Sequence, residues 1–250
     1  MFKFISHCHS HHSFDSNLKP SDIVKSLVES DINAVIINDH DVCLLTTEEL
    51  RQFNIENILV LKAIEFTTRE GVHVIGVHDR IELLQAEPYF YPIEKLIQTL
   101  IEAKAKIVLP HPYHGTGAFG NKNVSEELFE TVVRNVDAFE VDNYRYGETP
   151  KLLIRRMLKI NPRLVEFIGS DAHKASEVNA YVNTLDLGGN IDQKNVYEVL
   201  FSATPEHIYV KRRGRVYFQF KRFQKSMLYQ FVINMLNAGT RRKIKEMFRL

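Results

Sequence analysis

The sequence predicts an α/β protein with a mainly parallel sheet, open or closed into a barrel. Two observations carry that expectation. Short apolar runs alternate with amphipathic segments through the first 190 residues, and side chains able to bind metal gather where those runs end. With 250 residues and 44% hydrophobic content, the chain can bury a full-sized core.

The elements follow in order. FKFIS (2–6) reads as a strand, and Ser21 to Glu29 as a helix with Ser21 as N-cap after Pro20. AVIIN (34–38) is a strand, a helix contains Glu48–Leu50, and ILVLKAIEF (58–66) and HVIGV (73–77) are strands. A helix over about 92–104 precedes the strand KIVLP (106–110), and one near 125–135 precedes DAFEV (137–141). A helix near 149–159 leads into VEFIGS (165–170). The glycine-bearing loop HGTGAFGNKN (114–123) is the longest irregular piece of this region. Beyond residue 190 the alternation weakens. HIYVKRRGRVYFQF (207–220) looks like a hairpin turning near Gly214, and SMLYQFVINML (226–236) like an amphipathic helix. The expected organisation is a catalytic barrel over 1–200 and a basic extension over 201–250.

Charge divides the chain in the same place. Residues 201–250 hold 12 Lys+Arg against two acids, a net of +10, whereas residues 1–200 carry a net of −9. Such lopsidedness suits a polyanion, an acidic protein partner or the chain's own acidic region. Phe218, Phe220, Phe223 and Tyr229 interleave with Lys221, Arg222 and Lys225, as in surfaces that stack and neutralise single-stranded nucleic acid. The two cysteines, Cys8 and Cys43, define no disulfide framework. No secretory leader and no apolar run of membrane-spanning length is apparent, so a cytoplasmic location is expected, with no membrane partner.

The ends of the apolar runs carry the chemistry. The first strand runs into His7-Cys8-His9, the second into Asp39-His40 and the third into Glu65. KIVLP delivers His111, DAFEV surrounds Glu140, VEFIGS delivers Asp171-Ala172-His173, and His73 opens the run after Glu65. In a parallel barrel the carboxyl ends of the strands share one mouth, so these distant residues converge. His7 and His9, two apart on a strand, face the same way and can grip one ion; Asp171 and His173 share that spacing. Cys8, between two ligands, should point away into packing. Nine candidate ligands, His7, His9, Asp15, His40, Glu65, His73, His111, Asp171 and His173, suit two or three divalent ions. Imidazole with carboxylate favours zinc, manganese or iron. Lone histidines such as His78 and His207 read as ordinary surface or core residues, with His78 the second choice to His73. Asp39 is expected to hold the His40 ring from behind.

The motifs HCHSHHSFDS (7–16), INDHD (37–41), AIEFTTREGVH (63–73), LPHPY (109–113), FEVDN (139–143) and GSDAH (169–173) together resemble the polymerase-and-histidinol-phosphatase (PHP) family of metal-dependent phosphoesterases. The resemblance covers roughly residues 3–175. It implies a distorted (β/α)7 barrel with a two- or three-metal centre at its mouth. By matching position, His7, His9, Glu65 and Asp171 resemble the ligands of one ion, Asp15, His40 and His173 those of another, and Glu65, His73 and His111 those of a third. Ser6 departs from the acid that the family often carries before its first H-x-H.

The resemblance implies hydrolysis of phosphate esters by a metal-bound hydroxide, without a covalent intermediate. Asp171, His173, Glu65 and His9 are the expected catalytic residues; His11, His12, His114 and Arg145 are substrate-binding candidates near the mouth. A phosphomonoesterase is the first expectation. A nuclease or phosphodiesterase holding nucleic acid on residues 205–250 is the alternative, and a PHP subunit docking on a larger partner is the third.

Overall fold

The computed structural model describes residues 1–84, 91–186 and 191–210. Most of the expected basic extension, with the rest of the 207–220 hairpin and the 226–236 helix, lies outside the described residues. Each strand expected before residue 175 is present, beginning with β1 (Phe2–Cys8), β2 (Ala34–His40), β3 (Leu59–Thr67), β4 (His73–Val77), β5 (Lys106–Leu109) and β6 (Ala138–Asn143). They are followed by a short β7 (Gly147–Glu148), β8 (Val165–Gly169), β9 (Tyr181–Leu185) and β10 (Glu206–Tyr209). The helices are α1 (Pro20–Glu29), α2 (Thr47–Ile55), α3 (Ile93–Glu102), α4 (Glu126–Arg134), α5 (Lys151–Ile160) and α6 (Val196–Leu200).

The strands form one sheet in the order β10-β9-β1-β2-β3-β4-β5-β6-β7, with β8 also paired to β6. The sheet is mixed rather than mainly parallel. β1-β2-β3 and β5-β6-β8 run parallel, but β4 is antiparallel to both its neighbours, as is β9. Only five residues separate β3 from β4, too few for a parallel crossover and enough for a hairpin. The sheet curls until β8 approaches β1. Ser6 Oγ donates to the Ile168 carbonyl at 2.7 Å, and the buried Asn183 side chain on β9 accepts from Ile168 N at 3.0 Å and donates to Ile168 O at 2.9 Å. Cys8 bridges Ala172 above them.

Side-chain alternation sorts the core. Phe4, Ala34, Ile36, Leu61, Ala63, Ile75, Val77, Val108, Ala138, Val165 and Phe167 fill the concave side, joined by Val196 and Leu200 of α6. Ile5, Val35, Ile37 and Val60 face outward onto Ile23 and Leu27 of α1 and Phe53 of α2. The N-cap of α1 falls two residues earlier than the expected Ser21. Pro20 occupies its first turn, Lys19 is the N-cap, and no side chain caps it. α2 starts with a full capping box, Thr46 to Glu49.

Candidate metal centre

The concave face changes character at one layer. On β3 the inward series is Leu61, Ala63, Glu65; on β2 it is Ala34, Ile36, Asn38, His40; on β4 it is Val77, Ile75, His73. Because β4 is antiparallel, its first residue, and not its last, reaches the rim where β3 ends, and His73 lies opposite Thr67. β1 reaches the same layer by a register shift between Ile5 and Cys8. Both of those residues face outward into the helix layer, so the extra residue between them reverses the alternation and aims His7 and His9 inward. Cys8 is buried in packing, as expected.

His7, His9, Glu65 and Asp171 form one buried group. His7 Nε2 is 3.0 Å from His9 Nε2, 3.0 Å from Glu65 Oε2 and 3.7 Å from Asp171 Oδ1. His9 Nε2 is 3.2 Å from Glu65 Oε2 and 3.4 Å from Asp171 Oδ1. Ligands about 2.1 Å from a common centre stand about 3.0–3.4 Å apart, so this spacing fits one ion. A second group joins His9, Asp15, His40 and His173; Asp15 Oδ2 is 2.7 Å from His173 Nε2 and 3.6 Å from His40 Nε2. In a third, Glu65 Oε1 is 2.8 Å from His73 Nδ1 and 3.3 Å from His111 Nε2. Glu65 thus turns one oxygen to each of two groups. All nine expected ligands come together, and the buried His40 Nδ1, which has no hydrogen-bond partner, offers an electron pair that a Lewis acid would satisfy.

Electrostatics agree. Burial opposes a charged His7, but the carboxylates of Glu140, Glu65 and Asp171 outweigh it and hold the imidazole well above its ordinary range. Burial likewise opposes the charge on Glu65 and Asp171, yet the surrounding imidazoles hold both carboxyls well below the usual range. Histidines whose protons are retained only by facing carboxylates are poised to give them up to a cation.

Several supports were invisible in the sequence. Glu140, named above only as part of a strand, accepts from His7 Nδ1 at 2.7 Å, from the His111 backbone N at 2.7 Å and from Asn143 Nδ2 at 2.8 Å. Its signal was a carboxylate inside the apolar stretch 138–141. Gly169 faces it, and a Cβ there would fall on the Glu140 carboxylate. Asp171 and His111 adopt left-handed backbone, φ +48° and +31°, a strained conformation for residues with a Cβ that recurs at functional sites. Asp39 does not touch the His40 ring as expected; it accepts from Ser10 Oγ at 2.6 Å and from Ser10 N, securing the turn after β1.

The four substrate-binding candidates divide. Arg145 donates from Nε to Asp171 O at 2.7 Å and from Nη2 to Glu177 at 3.0 Å, bracing the turn that carries Asp171. His114 stacks on Tyr146 with ring centres 3.7 Å apart, and Tyr146 in turn meets His111 edge-on at 4.8 Å. Tyr146 drew no attention in the sequence. The loop carrying His114 is wound tightly back on Pro112, and its Thr116 carbonyl accepts from His73 N at 2.7 Å. His11 and His12 both meet Glu49 on α2. Among the described residues, no helix is long and apolar enough to cross a membrane.

No protein-family model and no curated protein sequence matches the chain. Solved structures do. A two-domain protein from Bacteroides vulgatus containing a predicted PHP-like metal-dependent phosphoesterase superposes with TM-score 0.63 at 16% identity, over 83% of this chain and 64% of that one. A Bifidobacterium adolescentis protein assigned as a metal-dependent phosphoesterase gives 0.54 at 18% identity, over 80% and 96%. Endonuclease Q, in complex with duplex DNA bearing an abasic lesion, gives 0.55 at 13% identity, over 74% and 54%. The chain spans just under two thirds of the first of these proteins and about half of the last. It has the fold of the PHP-like metal-dependent phosphoesterases.

Proposed function

We propose that the protein is a metal-dependent phosphoesterase of the PHP family, acting on phosphomonoesters with two or three divalent ions. One observation carries the reading: Glu65 places one oxygen among His7 and His9 and the other among His73 and His111, as a carboxylate bridging two ions must. Zinc, manganese and iron suit this donor set. Ions held there would supply an acidified water and neutralise phosphate oxygens. His7, His9, Glu65 and Asp171 would hold one ion, Asp15, His40 and His173 a second, and Glu65, His73 and His111 a third. Glu140 fixes His7 so that Nδ1 donates and Nε2 faces the site. Arg145 holds Asp171 by its backbone carbonyl. His114, on the rim beside His111, is the group we assign to hand a proton to the departing alcohol.

The alternative, a nuclease, draws on the net +10 of residues 201–250 and on the fold shared with Endonuclease Q. Parallel assays of p-nitrophenyl phosphate, its bis ester, and single-stranded DNA and RNA with added manganese test both. Monoester turnover abolished by chelation supports the first reading; cleavage of the bis ester and nucleic acid without it supports the second. Full activity in Asp171→Ala would sink both.

A further inference from the structure

A fourth group of donors stands apart from the nine. His11, His12 and Glu49 offer one atom each within 4.8 Å of one another and share no residue with the other groups. Both imidazoles aim Nε2 at the same carboxylate: His12 Nε2 is 3.2 Å from Glu49 Oε1 and 3.1 Å from Oε2, His11 Nε2 is 3.5 Å from Oε1, and the ring centres are 4.1 Å apart. A plain ion pair needs one imidazole; two turned onto one carboxylate would repel each other if both were protonated. The N–O spacings of 3.2 and 3.5 Å match the roughly 3.3 Å edge of a tetrahedron of N and O ligands around zinc.

The group is held in place from both sides. Glu49 Oε2 accepts from Thr46 N at 2.8 Å and Thr46 Oγ1 at 2.9 Å in the α2 cap and also faces His12 Nε2 at 3.1 Å, while Oε1 faces both histidines. Burial pulls this carboxyl up, but the Thr46 cap and the His12 imidazole outweigh it and keep it below its usual range. The His12 backbone donates to Ser10 Oγ, which Asp39 anchors in turn. The His11 side chain is 38% exposed, so water can complete the coordination.

We propose that His11, His12 and Glu49 form an accessory transition-metal site, with zinc the best fit, separate from the ions of the mouth. Two imidazoles exclude magnesium and calcium as preferred occupants. An ion there ties the turn after β1, which carries Asp15, to the start of α2. Occupancy therefore stiffens one wall of the mouth without contributing a ligand to it.

Zinc chloride titrated calorimetrically into the full chain, with metal content counted after gel filtration, tests this. The wild type should bind one equivalent more than the His11→Ala/His12→Ala double variant. Glu49→Gln, which preserves the capping box, should weaken that equivalent at least about tenfold and leave the others unchanged. Equal stoichiometry and affinity in all three proteins overturns the proposal. If the double variant fails to fold, the Glu49→Gln comparison decides alone. If the mouth binds no metal, the wild type should still take up the single equivalent that the variants lose or weaken, so the two readings fail separately.

Discussion

Glu140 Oε1 lies 2.7 Å from His7 Nδ1, and this bond decides which way the ring's electron pair points. With the Nδ1 proton committed to a buried carboxylate, Nε2 is left to face His9, Glu65 and Asp171. Glu140→Gln keeps an acceptor but removes the charge that favours the correct tautomer. Metal affinity should fall about 10- to 100-fold, measured by competition with a chromophoric chelator, and the metal-free protein should also melt lower, because the amide NH2 must face either His7 or the His111 and Asn143 donors.

Gly169 completes the same contact. A methyl group there would collide with a carboxylate already tied to His7, His111 and Asn143, leaving it nowhere to move. Gly169→Ala should cost about 1–3 kcal/mol in urea unfolding through overpacking and weaken metal binding as well. Gly115, whose added Cβ would meet nothing within 4 Å, is the control, and its alanine variant should behave as wild type.

Removing the ions should be felt as stability. The donor atoms at 3.0–3.4 Å are compatible with one another through a cation, and otherwise only through protons. At a free ion concentration a hundred times Kd, binding adds about 2.7 kcal/mol. A chelator should then lower the melting temperature by roughly 5–10 °C, and added manganese or zinc should restore it. No shift on chelation would remove the basis for a metal centre.

Asp142 offers a pH-dependent test away from the ligands. Burial, with Glu148 opposite it across β6 and β7, raises its carboxyl to about 7, while Tyr181 donates to Oδ2 at 3.4 Å. The folded value exceeds the unfolded one, so the protonated form is favoured by folding. Its stabilising share is fully present below about pH 4, shrinks as pH rises and is gone above about 7. Asp142→Asn, which mimics the protonated form, should gain about 1–3 kcal/mol over wild type at pH 8 and nothing at pH 4. Urea midpoints at the two pH values give the comparison.

The sequence revealed the strands and the mouth more fully than the way they are joined. Period-two apolar runs ending in His, Asp or Glu located β1, β2, β3, β5 and β8 because burial and ligation act on the same residues. The direction of β4 depends on the short turn after β3, and the apolar pattern of a five-residue run such as HVIGV does not give its direction. Glu140 escaped notice as a ligand support because its partner, His7, lies 133 residues away. Asp39 was assigned to its neighbour His40 because sequence distance was the only distance available; folding brings Ser10 nearer. His11 and His12 turn to Glu49 for the same reason, since α2 packs against α1 and carries that carboxylate beside the turn.

Asn183 gives the last prediction, because it is the joint that closes the curled sheet. It is fully buried, and its amide satisfies the N–H of Ile168 and shares the C=O with Ser6 Oγ, two groups that the β8 edge presents without a ladder partner. Asn183→Leu keeps the volume but strands the Ile168 N–H and leaves its C=O with Ser6 Oγ alone, at a cost of about 1–3 kcal/mol. The loss should not stop at stability. Asp171 follows β8 by two residues and is held by Arg145 through its backbone, so a β8 edge released from β9 shifts the carboxylate that faces His7 and His9. Hydrogen exchange should quicken first at the Ile168 amide, and metal affinity should fall in parallel. A variant that loses stability while exchange at Ile168 stays slow would show that the joint lies elsewhere.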